Sequence, residues 1–140
     1  MITYLDIINV EDIKTFLRVQ GNDFDPVIEG YIITAFKMFE AKTNHYTATQ
    51  TREYKAGTRY YDYPISDYTD VVSNGLYFTP TCDVTLDRGY TDVIDVPEDI
   101  KFAVKKIVEG MYLAEEQNEP FKIKESMAME VIKDYKRFFI

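Results

Sequence analysis

The sequence predicts a mainly α-helical α+β domain: a small bundle of about four helices, with a strand-rich, tyrosine-rich insertion between the second and third helices. Two segments, about 26–42 and 97–117, repeat apolar residues at helical spacing. Between them, over about 46–93, short runs of Thr, Tyr and Val alternate with Gly, Pro, Asn and Asp, which is typical of strands joined by turns. A length of 140 residues suits one domain, so we expect residues 1–140 to form a single unit.

The first helix is predicted over about 10–19. Asn9 is suited to cap its start, because an Asn side chain can accept from free N–H groups of the first turn, and Gly21 follows its end. Ile13, Phe16 and Leu17 form its apolar face.

The second helix is predicted over about 26–42. Asp25 is expected to cap it, and Pro26 suits the first helical position, where the missing N–H is harmless. A wide apolar stripe follows, made of Val27, Ile28, Tyr31, Ile32, Ala35, Phe36 and Phe39.

Three features predict strands in the middle of the chain. The stretch TREYKAGTRYYDY resembles a hairpin that turns at Ala56–Gly57. Asn74–Gly75 is a strong hairpin signal, because both central residues of a type I′ turn need positive φ. Cys82, Val84 and Leu86 alternate with polar residues, as in a half-buried strand.

The third helix is predicted to start at Pro97 and to run to about residue 117, with Glu98 and Asp99 at the positive end of its dipole. A last helix is predicted over about 123–137. We expect the second and third helices to form the core through Ile28, Ile32, Phe36, Ile100, Val104 and Ile107.

Composition disfavours several classes of protein. The formal net charge of −8 means that duplex DNA or an anionic membrane would repel the surface as a whole. No apolar run approaches the ~18 residues of a membrane-spanning helix, so we expect a soluble protein. The single cysteine and a start without a signal-peptide pattern predict synthesis in a reducing compartment.

Residues that could carry catalysis have simpler interpretations. His45 is expected to cap carbonyl groups at the end of the second helix, and Cys82 to pack in the core of a strand. The acidic clusters NDFD and DVIDVPED stand at helix starts, where capping explains them. The sequence has no phosphate-binding Gly-rich loop, nucleophile elbow or CxxC pair, so we expect neither an enzyme nor a cofactor or metal site.

Aromatic residues are the candidates for partner-binding surfaces. Eight of the 12 tyrosines lie between residues 46 and 90, where tyrosine suits a half-buried strand and a protein interface equally, so both interpretations stay open. Among them we single out Tyr60, Tyr61 and Tyr63 as candidates for contact with a neighbour. The ending YKRFFI places Phe138, Phe139 and Ile140 together, and three large apolar residues at a chain end cannot all face one core. These six residues are the predicted contact sites.

The order of elements resembles a known family. The start NVEDIKTFLRVQGNDFDPVIEGYIITAFKMFE, a strand ending VTLDRGY, then VPEDIKFAVKKIVEGMY and a short last helix resemble the head-to-tail connector (adaptor, or head-completion) proteins of long-tailed bacteriophages. The family's later hallmark is matched by Gly89, Tyr90, Val96, Pro97 and Tyr112.

The resemblance implies a structural role in the virion neck, between capsid and tail, for a protein made in the host cytoplasm. It implies a homo-oligomeric ring of about twelve copies that binds beneath the portal and extends the DNA channel. It further implies a platform for the tail or its completion proteins, with DNA passing through without sequence-specific binding, and no membrane partner.

Other functions stay open at this point. A tail-completion or tail-terminator protein would also be small, acidic and ring-forming. A small acidic regulatory protein could mimic DNA and bind a basic enzyme. An enzyme would require a carboxylate site that the sequence does not reveal.

Overall fold

Three helices, a strand-rich insertion and two further helices follow one another in this computed structural model, which describes residues 1–122 and 127–135. The helices are α1 (Tyr4–Ile7), α2 (Val10–Leu17), α3 (Asp25–Thr43), α4 (Glu98–Glu116) and α5 (Ala128–Tyr135). The strands are β1 (Gln50–Tyr54), β2 (Val71–Ser73), β3 (Phe78–Pro80) and β4 (Val84–Arg88), and a 3₁₀ turn (Val93–Asp95) precedes α4. The predicted mainly helical α+β class is confirmed. Within the described residues, no helix combines the length and apolar character needed to cross a bilayer.

The main core lies between α3 and α4. The six residues predicted to form it are all fully buried: Ile28, Ile32, Phe36, Ile100, Val104 and Ile107. The start of α3 lies beside the end of α4, since Val27 and Tyr112 line one cleft, so the two helices are antiparallel. Helices α1, α2 and α5 pack against this pair of helices.

The N-terminal helices owe their limits to local capping. Helix α1, which was not predicted, begins after Thr3, whose side chain and Asp6 form a reciprocal capping box. Asn9 caps α2 as predicted, and its Oδ1 accepts from the Asp12 N–H at 2.8 Å. Helix α2 ends at Leu17 rather than near residue 19, because Arg18 adopts the left-handed conformation that terminates helices.

Asp25 does not cap α3. It is the first residue of the helix, and Phe24 in the N-cap position makes no side-chain capping bond. The Asp25 carboxylate instead lies 3.1 Å from the buried Lys14 Nζ, which also donates to Asn22 Oδ1 at 2.8 Å. Asp25, which was predicted to cap α3, therefore connects α2 to the start of α3 through Lys14.

The predicted hairpin at Ala56–Gly57 is wrong. Strand β1 pairs antiparallel with β4, with Gln50 opposite Arg88 and Tyr54 opposite Val84. The chain does turn after β1, but the next segment bridges to β3 through Tyr60 and Phe78 and does not return along β1. Local turn signals cannot reveal this, because the partner strand lies about thirty residues further along the chain.

The predicted hairpin at Asn74–Gly75 is confirmed, but the predicted type I′ turn is wrong. Strands β2 and β3 pair antiparallel with Ser73 opposite Phe78, which leaves a connection of four residues, 74–77. Gly75 has positive φ and Asn74 does not, so the turn is not type I′. Asn74 Oδ1 accepts from the N–H groups of Leu76 and Tyr77, and this Asx arrangement closes the turn.

The insertion has a small core of its own, made of Tyr54, Ile65 and Phe78 with Tyr60, Val71, Val84 and Leu86 packed around them. Cys82 is exposed and takes no part in it, contrary to prediction. Strand β4 begins only at Val84, and Cys82 lies in the bend before it, where alternation no longer sets the side-chain direction.

The last predicted helix is confirmed over Ala128–Tyr135, whereas Met127, which the prediction included, lies in the turn before it. Helix α5 covers Ala128–Tyr135 and buries Ala128 and Ile132 against the bundle. The remaining parts of the prediction, 123–126 and 136–137, lie outside the described residues, as do Phe138, Phe139 and Ile140.

Candidate interaction surfaces and the joint that orients them

A polar network joins the insertion to the helical bundle. Asp62 is buried, and its Oδ2 accepts from Arg52 Nη1 at 2.7 Å, from Arg88 Nη1 at 2.9 Å and from the Tyr54 hydroxyl at 2.9 Å. Arg88 also donates to Gln50 Oε1, at 2.8 Å from Nη2. Burial alone would lower the pKa of Arg88, but the Asp62 hydrogen bond and nearby negative charge raise it. The guanidinium is therefore held charged at the centre of this network of Asp62, Arg52, Arg88, Tyr54 and Gln50, which we call the joint.

The network reaches the bundle through Glu40, a buried carboxylate on α3. Gln50 Nε2 donates to the Tyr4 hydroxyl at 2.9 Å, and that hydroxyl donates to Glu40 Oε1. Glu40 Oε2 accepts from Thr47 N–H at 2.9 Å and from Thr47 Oγ1 at 3.1 Å. Helices α1 and α3 and strands β1 and β4 are thus connected through side chains, which fixes the direction in which the insertion leaves the bundle.

Glu40 should make stability depend on pH. Burial raises the pKa of Glu40 despite its hydrogen bonds from Tyr4 and Thr47. Below the unfolded-state pKa of about 4.3, the group is protonated in both states. As the pH rises, the unfolded chain ionises first, so this contribution to the free energy of unfolding is lost until the pH passes the folded-state pKa.

We therefore expect the unfolding free energy of the wild type, relative to Glu40→Gln, to decrease as the pH rises from 4 to 7. The decrease should amount to about 1.4 kcal/mol for each unit by which folding raises the pKa. Urea unfolding of both proteins at several pH values measures it, and Glu29→Gln, at an exposed position of the same helix, serves as the control. A difference that stays constant or grows with pH would contradict the prediction.

Gly89 and Tyr90 return the chain from the insertion to the bundle. Gly89 has φ +94°, and a Cβ placed there would lie 2.1 Å from the Ala48 carbonyl oxygen. Tyr90 N–H donates to Thr47 O at 3.0 Å, and Tyr90 O accepts from Thr49 Oγ1 at 2.6 Å. This close backbone approach requires glycine at position 89.

His45 lies in an aromatic enclosure and not at a helix cap. Asn44, in the left-handed conformation, caps α3 by donating its N–H to Glu40 O at 2.8 Å, and the buried His45 follows it. His45 Nε2 lies 2.7 Å from the Tyr90 hydroxyl, and the rings of Tyr63 and Tyr135 are both centred 5.0 Å away. Burial raises the pKa of Tyr90 to about 12, so its hydroxyl stays protonated. The predicted capping role of His45 is wrong.

One exposed apolar surface lies where α3 begins and α4 ends; we call it the bundle-end groove. Phe24 is 55% exposed and Val27 is 48% exposed, and with Tyr31 and Tyr112 they line a cleft of about 180 Å³. Glu115 and Glu116 form its rim.

A second exposed apolar surface lies on the β2–β3 hairpin; we call it the hairpin surface. It consists of Tyr68, Val72 and Leu76, of which Val72 is 65% exposed and Leu76 is 46% exposed. The Arg59 guanidinium lies 4.6 Å from the ring centroid of Tyr77 in the same turn. The turn segment VVSNGLYF itself carries no charged residue, and the exposed carboxylates nearest to it in sequence are Asp67 and Asp70, which flank Tyr68.

These two surfaces lie at opposite ends of the bundle. The insertion leaves after the end of α3 and returns before the start of α4, whereas the groove uses the start of α3 and the end of α4. Helix α3 has 19 residues, so roughly 28 Å of helix separates the two ends. One copy of the chain therefore presents two different apolar patches in different directions.

The three tyrosines predicted to bind partners have different surroundings. Tyr60 packs against Tyr54 and Phe78 in the small core, and its hydroxyl accepts from the Lys55 N–H at 2.9 Å. Tyr61 packs on Tyr77 at the hairpin, with ring centroids 5.8 Å apart. Tyr63 lies beside His45. Their role in partner binding stays a prediction.

Sequence reasoning missed the exposed surfaces themselves. It assigned Val27 to the core stripe of the second helix, although Val27 lies at the edge of that stripe and faces outward. A signal did exist for the hairpin surface, because apolar Val72 and Leu76 flank a turn and cannot both face a small core. Asp62 and Arg88 carry no local signal, since their pairing depends on tertiary structure.

The model of one protein family, described as phage gp6-like head-tail connector protein, matches residues 7–132 of this 140-residue chain. The chain belongs to that family. The connector is therefore a structural phage virion protein that links head and tail, located at the neck, where it interacts with portal and tail proteins. Neither the curated proteins nor the solved structures contain a match to it.

The hallmark residues of the connector lie at structural junctions. Gly89 and Tyr90 form the return from the insertion, Val96 is buried, and Pro97 immediately precedes α4. Tyr112 lines the bundle-end groove. The match over residues 7–132 confirms the family resemblance, and four of the five hallmark residues form the return from the insertion into α4.

Proposed function

We propose that the connector assembles as a ring of about twelve copies that docks on the portal, extends the DNA channel and provides the attachment platform for the tail. The match to the head-tail connector family over residues 7–132 carries this proposal. A ring needs a heterologous interface made of two different patches on each subunit. The bundle-end groove and the hairpin surface are two such patches.

The charge of the chain supports a conduit that does not retain DNA. The net charge of −8 disfavours tight phosphate binding along a channel wall. DNA would then pass the ring without sequence-specific contacts.

Two groups of residues are proposed to contact partners. Tyr61 and Tyr63, on the insertion, and Tyr60, which supports them from the small core, would face a neighbouring subunit or the channel. Phe138, Phe139 and Ile140 would anchor the chain end to the portal or to an adjacent subunit.

Electron microscopy combined with native mass determination tests the proposed assembly. The connector is examined alone, with the portal protein of the same phage and with its tail tube. Rings of about twelve copies stacked on the portal are the expected result. A connector that stays monomeric or dimeric and ignores the portal would contradict the proposal, and rings bound only to the tail tube would identify a tail-completion protein.

Deleting Phe138, Phe139 and Ile140 is expected to abolish docking on the portal and to leave the monomer folded. Removing three large apolar side chains deletes an anchor, whereas the described core lies entirely within other residues. Portal binding measured by co-sedimentation, with circular dichroism as a check on folding, tests this. Ile94→Ala, which removes a side chain from an 82% exposed position, is the matched control. Docking that survives the deletion would overturn the assigned role of these residues.

A further inference from the structure

The bundle-end groove has the properties of a protein-binding site. Its cleft of about 180 Å³ is smaller than the roughly 300–1,000 Å³ of typical small-molecule sites, and it suits one or two side chains. Tyr31 and Tyr112 supply the broad aromatic contact area common in interface hot spots.

The rim of the groove is negatively charged. Burial and the charge of Glu115 raise the pKa of Tyr31, while burial and a hydrogen bond with Glu116 raise the pKa of Tyr112. No ion pair of either glutamate is found among residues 1–122 and 127–135. An occupant should therefore combine an apolar tip with a positive charge.

The hairpin surface has this combination. Val72 and Leu76 supply exposed apolar side chains, and the segment 71–78 contains no carboxylate. Arg59 lies beside the turn, stacked on Tyr77. Within the described parts of the chain Arg59 forms no ion pair, so its guanidinium is available to an acidic rim.

We propose that the hairpin surface of one copy docks into the bundle-end groove of the next copy, with Arg59 of the first facing Glu115 and Glu116 of the second. Leu76 and Val72 would fill the cleft between Phe24, Val27 and Tyr31. The two surfaces lie at opposite ends of the bundle, so the contact is head-to-tail and repeats from copy to copy. This contact rests on the proposed ring and specifies its subunit interface.

Apolar-to-charged substitutions test the two halves of the contact. Val27→Glu places a carboxylate in the groove, where it would be buried against the apolar side chains of the hairpin. Leu76→Glu places one on the hairpin, where it would face the negatively charged rim of the groove. Each is expected to reduce ring formation on the portal at least tenfold. Ile94→Glu changes an even more exposed apolar residue outside both surfaces and should leave the rings unchanged.

Charge reversal identifies the pairing. Arg59→Glu and Glu116→Arg should each reduce ring counts at least tenfold, and the double variant should restore them to within about twofold of wild type. Glu130→Arg, on the exposed face of α5, is the control for a reversed carboxylate. If the wild type and both single reversals form equally abundant rings, this contact is wrong, whereas the proposed ring itself is unaffected. A wild type that forms no ring on the portal would overturn the ring, and the contact with it.

Discussion

Gly89→Ala is expected to reduce the free energy of unfolding by about 3–5 kcal/mol, among the largest losses for a single substitution in this chain. The added Cβ would lie 2.1 Å from the Ala48 carbonyl oxygen and 2.7 Å from its carbon. Both are backbone atoms next to Thr47, whose carbonyl accepts from the Tyr90 N–H at 3.0 Å, so they cannot move aside as the end of a side chain can. The backbone at φ +94° adds the cost of a left-handed conformation.

Gly75→Ala separates these two costs. Gly75 has φ +85°, and a Cβ there would meet no atom within 4 Å. It should therefore lose only about 1–2 kcal/mol from backbone strain. Urea or thermal unfolding of both variants measures the difference. Equal losses would show that the close approach to Ala48 contributes nothing.

Asp62→Ala is expected to cost about 3 kcal/mol or more, because it removes the acceptor shared by three donors. Arg88 and the Tyr54 hydroxyl would stay in a partly buried site with one fewer partner, while Arg52 is more exposed and loses less. The cost of leaving buried donors unsatisfied exceeds the net value of the hydrogen bonds themselves.

Asp87→Ala is the matched control for this joint. Asp87 lies on β4 next to Arg88, and its Oδ1 accepts one exposed hydrogen bond from Thr51 at 2.6 Å. Its loss should stay within about 1 kcal/mol. Denaturant unfolding compares the two, and a loss for Asp62→Ala no larger than that of Asp87→Ala would show that the joint does not stabilise the fold.

The helices were predictable because their signals are local. Apolar residues at helical spacing identified Ile32 on α3 and Val104 on α4 as core residues, and the side chain of Asn9 marked the start of α2. Helix α1 was missed because four residues are too few to show a period, although Thr3 and Asp6 do form a capping box.

The insertion was less predictable because its pairings are distant in sequence. Strand β1 finds its partner near Leu86 and not across the turn at Gly57, and no short window contains both strands. The aromatic composition correctly indicated a different kind of segment. It could not show that Tyr60 packs inside while Val72 faces outward, since tyrosine suits both a half-buried strand and an interface.

The unequal sizes of the two cores have a consequence for dynamics. The bundle buries a large set of side chains, whereas the insertion fully buries only Tyr54, Ile65 and Phe78 among its apolar residues away from the bundle. A segment with more buried apolar contact resists local opening more strongly. Amide hydrogens of α3 and α4 should therefore exchange with solvent only on global unfolding, whereas those of β2 and β3 should exchange through smaller, local openings. The connector thus carries its deformable element at one end and its rigid element at the other, so a hairpin can adjust its fit to a neighbour while the bundle keeps its shape.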